Sequence, residues 1–132
     1  MSGAGAALRA AAIAALQGIA GIGKVFAGPP IQAALPHAVV ECGPEANWSH
    51  KSGTGRKLRL AVTLRAGGES LARAEALTAA VEATIAQGLA PAGWQLVSLH
   101  FLRSRCFAQE AGGQPGWAVL HEYRARMLAA EG

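Results

Sequence analysis

Apolar and polar residues alternate most regularly between Arg56 and Ala66. The large apolar side chains fall on one side of this alternation: Leu58, Leu60, Val62 and Leu64. The polar side chains fall on the other: Lys57, Arg59, Thr63 and Arg65. Because successive side chains of a strand point to opposite faces of a sheet, the segment predicts a half-buried strand whose outer face is basic.

Two later segments alternate in the same way and predict two further strands. Within residues 95–107, we expect one side to hold Val97, Leu99, Phe101 and Phe107. Within residues 117–128, one side holds Trp117, Val119, Tyr123 and Met127, and the other holds Glu122, Arg124 and Arg126. Short apolar runs at residues 24–27 and 38–42 predict two more strands.

Apolar residues recur at three- and four-residue spacing in two other segments, which predicts two helices. The first covers residues 4–20 and is expected to bury Leu8, Ala12, Leu16 and Ile19. The second covers residues 69–88, with Glu69 and Ser70 at its start. Its expected buried stripe is Ala74, Leu77, Val81 and Ile85, while Glu75, Glu82 and Gln87 face away.

The resulting order of elements is α-β-β-β-α-β-β. Strands that follow one another with few helices between them favour an antiparallel sheet. We therefore predict a single α+β domain over residues 1–132, mainly an antiparallel sheet with two helices on one face.

A polar stretch at residues 43–56 lacks apolar periodicity and predicts a loop or a mobile hairpin arm. Trp48 lies in its middle. A lone Trp in a polar loop either packs back onto its own core or anchors a contact with another chain. Both interpretations stay open at the level of sequence.

The composition indicates a thin core. Apolar residues make up 52% of the chain, but 31 of its residues are alanine, which buries little area. Burial of apolar surface between copies of the chain would therefore help to stabilise it. The formal charge of +4 favours polyanionic partners through long-range attraction.

No segment has the features of an enzyme site, so we expect no catalytic, cofactor-binding or metal-binding residues. The glycine-rich stretch at residues 51–57 leads into a strand, whereas a phosphate-binding loop opens a helix. The histidines and cysteines lack the spacing of zinc ligands, and Asp is absent from the chain. Cys42 and Cys106 are expected to be buried free thiols, with one disulfide as the alternative.

The first 22 residues lack the charge and apolar pattern of a signal peptide. No run of large apolar residues is long enough to cross a bilayer. The sequence therefore predicts a soluble cytoplasmic protein.

The basic residues of the strands leave two interpretations open. They are Lys57, Arg59, Arg65, Arg103, Arg105, Arg124 and Arg126. Such a set serves either to contact phosphates or acidic groups, or as a solvated face that discourages aggregation of sheet edges. Aromatic residues are not interleaved with them as stacking platforms for bases would be. This favours a surface that faces protein or solvent.

Three parts of the chain between about Leu35 and Ala125 carry a resemblance to a known family. The first is Leu35-Pro36 before the strand Val39-Val40. The second is Trp48-Ser49-His50-Lys51, then Gly53-x-Gly55 and Leu58-x-Leu60-x-Val62. The third is the helix at residues 72–85, followed by Leu96-Val97-Ser98-Leu99 and Tyr123-Arg124-Ala125. In this order and spacing, they resemble the tail terminator, or tail-completion, family of long-tailed phages and gene transfer agents.

The resemblance implies a structural protein without a cofactor or a membrane partner. It implies a homo-oligomeric ring, usually a hexamer, that caps the tail tube and presents a surface to the neck or head-completion proteins. DNA then passes through the lumen without sequence-specific binding. The protein would lie in the bacterial cytoplasm during assembly and afterwards at the tail–neck junction of a phage-like particle.

Two groups of residues are candidates for this assembly. The hypothetical contact with a neighbouring subunit or the tube consists of Trp48, Ser49, His50, Lys51 and Arg56. The hypothetical basic sheet face, which would line part of the ring, consists of Lys57, Arg59, Arg65, Arg124 and Arg126. The alternatives are a neck or head-completion protein of the same particle, or a small basic module that binds nucleic acid.

Overall fold

A computed structural model describes residues 3–28, 30, 33–68 and 70–130. It contains helices α1 (Ala4–Leu16) and α2 (Leu71–Ala86) and strands β1 (Lys24–Phe26), β2 (His37–Asn47), β3 (Gly55–Gly67), β4 (Trp94–Ala108) and β5 (Gly116–Ala129). The α+β class and the order of elements are as predicted. Of the residues expected at the start of the second helix, Glu69 lies outside the described residues.

The five strands form one mixed sheet in the order β1-β2-β3-β5-β4. Only the pairing of β1 with β2 is parallel among the described strands, so the sheet is mainly antiparallel, as predicted. Strand β1 is short and its pairing with β2 stops at Val39. Strand β4 is long and forms the other edge. The sheet therefore ends in strands with hydrogen-bonding groups available to another chain.

Both helices pack on the same face of the sheet, called here the helix face. The predicted stripe residues within the two helices are buried there, with Leu8, Leu16 and Val81 at 0% exposure. The first helix was predicted to reach residue 20 but ends at Leu16, so Ile19 lies beyond it and is half-buried. The apolar side of β3 completes this core with Leu58, Leu60, Val62 and Leu64. The side chains of β3 with the other parity point to the opposite face, called here the open face, which carries neither helix.

Helix α2 begins where its sequence supplies a cap. The hydroxyl of Ser70 accepts a hydrogen bond from the amide of Ala72 at 3.3 Å, which satisfies a donor that the first turn leaves free. The predicted outer residues Glu75, Glu82 and Gln87 are exposed. Helix α2 connects β3 to β4 along the chain. These two strands are not neighbours in the sheet, because β5 lies between them.

Strand β4 departs from the predicted simple alternation. Its register with β5 shifts between Leu96 and Ser98 and again between Phe101 and Arg103. Each bulge adds one residue, and one added residue reverses which face the following side chains occupy. The expectation that Phe107 shares a side with Leu99 and Phe101 was therefore wrong. Phe107 pairs with Ala118 on the open face.

The predicted arm at residues 43–56 is shorter in the structure. Strand β2 passes through an irregularity between Cys42 and Glu45 and continues pairing with β3 to Asn47. A bulge accommodates Pro44, which has no amide hydrogen to donate to a ladder. The polar composition of this stretch reflects a bulge followed by a hairpin, and the turn itself occupies residues 48–54.

Candidate interaction surfaces: the hairpin arm and the basic open face

The tip of the β2–β3 hairpin, residues 47–55, is called here the arm. The amide of Trp48 donates to the Gly55 carbonyl at 3.0 Å, and His50 and Gly53 exchange two backbone hydrogen bonds of 2.9 and 3.2 Å. Lys51 and Ser52 remain as a two-residue turn, and both are exposed. A Cβ atom on Gly55 would collide with the carbonyl group of Trp48. The close approach of the two chains at this point therefore requires glycine.

Side-chain hydrogen bonds hold the base of the arm. The Asn47 Oδ1 atom accepts from the Ser49 amide at 3.2 Å and from the Ser49 hydroxyl at 2.6 Å. The same hydroxyl accepts from the amide of Gly55 at 3.1 Å. These bonds link the two strands of the hairpin across the turn. Ser49 thus has a structural partner within its own chain.

Trp48 is half-buried and packs against its own subunit. Its ring forms a T-shaped pair with His50 at 4.6 Å between centroids. The guanidinium carbon of Arg126 lies 5.8 Å from the Trp48 ring centroid, within the range of a cation–π contact. The arm is therefore coupled to strand β5. His50 and Lys51 remain exposed beside the indole.

Arg56 is separate from the other predicted contact residues. It has the parity of Leu58 and Leu60, which places it on the helix face, and it is half-buried. Its Nη1 atom donates to the Gly55 carbonyl at 3.0 Å. The structure therefore brings Trp48, Ser49, His50 and Lys51 together at the arm and leaves Arg56 at its base.

The five residues of the predicted basic sheet face all lie on the open face. In the β3–β5 ladder, Lys57 is opposite Arg126 and Arg59 is opposite Arg124. Arg65 lies further along β3, opposite Ala118. The register shifts of β4 bring Arg103 and Arg105 to the same face, opposite Glu122 and Leu120. The open face is therefore basic across three adjacent strands.

One carboxylate lies within this basic surface. Glu122 accepts from Arg59 at 3.2 Å and from Arg103 at 3.0 and 3.3 Å. Its side chain is 12% exposed, whereas those of Arg59 and Arg103 are 51% and 69% exposed. Two guanidinium groups share one carboxylate, so a positive charge is left over. Sequence reasoning placed Glu122 on the outer face but missed this cluster, because the bulges of β4 set its position.

A recess of about 650 Å³ lies at one end of the open face, between residues 33–37 and the β4–β5 loop. Arg65 lines it, and its Nη2 atom donates to the Glu110 carbonyl at 3.3 Å. The buried Nε atom of Arg65 has no hydrogen-bond partner among the described residues. His37, also in the lining, is buried, and this burial lowers the pKa of its imidazole.

A groove on the helix face separates α2 from the edge strand β4. Its lining includes Glu82, Leu99, Phe101 and Tyr123. Phe101 is 51% exposed even though it forms a T-shaped pair with Tyr123 at 5.7 Å. Val97, in the first bulge of the same strand, is 44% exposed. The sequence predicted only that both residues lie on one side of the strand, because periodicity alone cannot show that α2 leaves this edge uncovered.

His121 lies beneath the groove at 0% exposure. Neither ring nitrogen has a hydrogen-bond partner among the described residues, and Nδ1 is 3.6 Å from a carboxylate oxygen of Glu82. Burial lowers the pKa of His121, and the Glu82 charge opposes that effect. A buried imidazole without hydrogen bonds prefers its neutral form. His121 is therefore a neutral core residue near neutral pH.

Both cysteines are free thiols, as expected. Cys42 is half-buried, and burial raises its pKa to about 11. Cys106 was expected to be buried but is exposed, because it lies on β4 beyond the cover of α2. Within the described ranges, no three His, Cys or carboxylate side chains lie close enough to hold a metal ion. Nor does a helix there have the length and apolarity to span a bilayer.

No family model and no curated protein matches this chain. Among solved structures, it is similar to a chain of the virion of a native gene transfer agent particle. The two chains share 26% sequence identity with a TM-score of 0.73, over 97% of this chain and 100% of the other. The similarity thus covers both helices and all five strands.

Proposed function

We propose that this chain is a structural subunit of a phage-like particle of the gene transfer agent type, and within it the tail terminator. The observation that carries the proposal is the similarity to a gene transfer agent virion chain over nearly the full length of both chains. That similarity supports a virion structural protein. The terminator role rests on the family resemblance of the arm, the strand after it and the closing strand.

The proposed role is binding and assembly rather than catalysis. The exposed features of the described residues are an arm with Trp48 and Lys51, a basic sheet face, and an edge strand with Phe101 exposed. These are surfaces for other macromolecules. A terminator stops growth of the tail tube and then presents a docking face to the neck proteins.

A ring of identical subunits needs two different patches that meet head to tail. The arm lies at the β2–β3 end of the sheet, and the groove of Phe101 lies beside β4, the last strand on the other side. Patches on different sides of a subunit can pair between successive copies and close a ring. The proposed ring is a hexamer, and its subunit contact includes Trp48, His50 and Lys51.

The first test of the ring is light scattering over a range of concentrations, with negative-stain imaging of the largest species. Closed rings of uniform size support an assembly subunit. A monomer at every concentration, which also fails to associate with purified tail tubes, contradicts it.

The neck or head-completion protein is the second candidate, since the same virion similarity supports it. The two roles differ in the partner. Co-sedimentation with purified tail tubes and, separately, with tail-free heads distinguishes them. Association with tubes supports the terminator, and association with heads alone supports the neck protein.

A further inference from the structure

We propose that the open face of the sheet is a binding surface for the phosphate backbone of duplex DNA. This goes beyond the proposed function, because capping a tube and docking a neck require contacts with protein alone. The proposal concerns seven basic residues on three adjacent strands: Lys57, Arg59, Arg65, Arg103, Arg105, Arg124 and Arg126. The first observation is how unevenly charge is distributed over the molecule.

Strands β3, β5 and β4 place seven of the twelve basic residues of the chain on the open face, and Lys24 of β1, which pairs with His37, faces the same way. The described strand residues of the same face include two carboxylates, Glu41 and Glu122. Glu122 is already shared between Arg59 and Arg103. On the helix side, the exposed Arg73 of α2 is balanced by Glu75 and Glu82 of the same helix. The positive charge of the molecule is thus concentrated on one face.

The second observation is the register. Lys57 lies opposite Arg126, and Arg59 lies opposite Arg124. Adjacent strands are about 4.8 Å apart, and like charges directly opposite one another destabilise a sheet. These two pairs are neighbours on the same face of the β3–β5 ladder. On β4, His100 lies opposite Arg124 on that face. Solubility alone does not require like charges directly opposite one another, whereas a bound polyanion neutralises them and removes the repulsion.

The third observation is the chemistry of the middle of the face. The core of a protein–protein interface is depleted of charged residues and enriched in aromatic ones. Here charged residues occupy the middle, with Arg59, Glu122 and Arg124 side by side. The aromatic rings lie at the ends, where Arg126 covers Trp48 and Arg105 covers Phe107. Interfaces with DNA are more polar and more positive than those with protein.

The absence of stacking platforms decides which nucleic acid fits. Single strands bind proteins largely through bases stacked on aromatic rings, and the middle of the open face offers none among the described residues. Contacts to the phosphates of a duplex need only cationic and polar donors. Arginine guanidinium groups provide paired donors for phosphate oxygens. A broad, basic sheet surface therefore fits the outside of a duplex better than a single strand.

The test is fluorescence anisotropy of two labelled 30-base-pair duplexes of unrelated sequence, titrated with the full-length protein from 50 to 200 mM salt. Wild type should bind both duplexes equally, and its affinity should fall steeply with salt. Arg124→Gln removes an exposed charge of the open face. It should lower the salt slope by about 0.9 for each phosphate that the variant no longer neutralises. Arg73→Gln, which removes an equal charge from α2, should leave the slope unchanged.

Three results would overturn the proposal. They are no binding at 50 mM salt, an equal decrease of affinity in Arg124→Gln and Arg73→Gln, or competition by polyglutamate as strong as that by unlabelled duplex at equal charge. The last result would indicate an acidic protein partner instead. Failure here leaves the proposed function standing if the same protein still caps tail tubes. Loss of capping with DNA binding intact would overturn the terminator role and leave this proposal standing.

Discussion

Glu122 and Arg103 form a hydrogen-bonded ion pair, with a distance of 3.0 Å between Oε2 and Nε and of 3.3 Å between Oε1 and Nη2. The two residues face each other only because β4 bulges between Phe101 and Arg103. Without that extra residue, the guanidinium group would point to the helix face. The bulge therefore adds the third strand to the basic open face, and Glu122 neutralises part of its charge.

Glu122→Gln tests this balance. The substitution leaves Arg59 and Arg103 without their shared carboxylate, so the free energy of unfolding should fall by about 1 kcal/mol. Affinity for duplex DNA should rise, because the face gains a full positive charge. Denaturant unfolding and anisotropy measure the two effects. Glu75→Gln on α2 is the control, and an equal rise in DNA affinity with that variant contradicts the assignment of the effect to the open face.

Gly55→Ala should destabilise the arm. The added Cβ atom would collide with the carbonyl group of Trp48, so the two chains of the hairpin must separate. We expect the free energy of unfolding to fall by about 1–3 kcal/mol, measured by denaturant titration. Gly53→Ala is the matched control, since a Cβ atom there meets nothing within 4 Å. Similar decreases in both variants would show that the close approach at Gly55 is absent.

Trp48→Ala should weaken ring or tube assembly more than it destabilises the subunit. The indole is half-buried, and its contacts are His50 in its own turn and Arg126 at 5.8 Å. Scattering of the largest species and the melting temperature of the monomer measure the two effects. A large drop in monomer stability with unchanged assembly would assign Trp48 to the fold of its own subunit instead.

The stability of the subunit should depend on His121 at mildly acidic pH. Burial lowers the pKa of His121 below its ordinary value of 6.5, so the unfolded chain binds the proton more readily. Its stabilising contribution is complete above pH 6.5 and is lost as pH falls through the folded-state pKa. Replacing His121 by Leu should flatten the dependence of unfolding free energy on pH below 6.5.

The comparison of wild type with His121→Leu isolates this residue, because His37 also has a lowered pKa and contributes with the same sign. Glu82 opposes the effect of burial from 3.6 Å away. If the protonated pair with Glu82 were the stronger effect, wild type would gain stability relative to His121→Leu as pH falls. That outcome would contradict the neutral core role.

The sequence predicts most of the framework because its strands have a clean period of two. Leu58, Leu60 and Val62 alternate with charged or small residues, and the structure buries all three on the helix face. The helix stripes are equally regular, and Ala74, Leu77 and Val81 are buried as expected. Local periodicity predicts which face a side chain occupies where no bulge interrupts the pairing of the strands.

The features that the sequence did not predict have two physical causes. Bulges in β4 reverse the facing of later residues such as Phe107, and no local signal in the apolar pattern reveals them. The extent of helix cover is a tertiary property, so the exposure of Phe101 and Cys106 was not predictable from alternation. The same distinction between strand position and tertiary contact applies to the candidate sites. The strand positions of Lys57 and Arg124 were predictable, whereas the contact of Trp48 with Arg126 depends on the fold of the arm.

The terminator role is tested most directly by the growth of tail tubes in the presence of this protein. Purified tube protein is allowed to polymerise with and without the chain, and tube lengths and ends are measured by electron microscopy. We expect a ring at one end of each tube, and capped tubes should stop growing when more tube protein is added. Tubes that continue to lengthen, with no added density at either end, would contradict it.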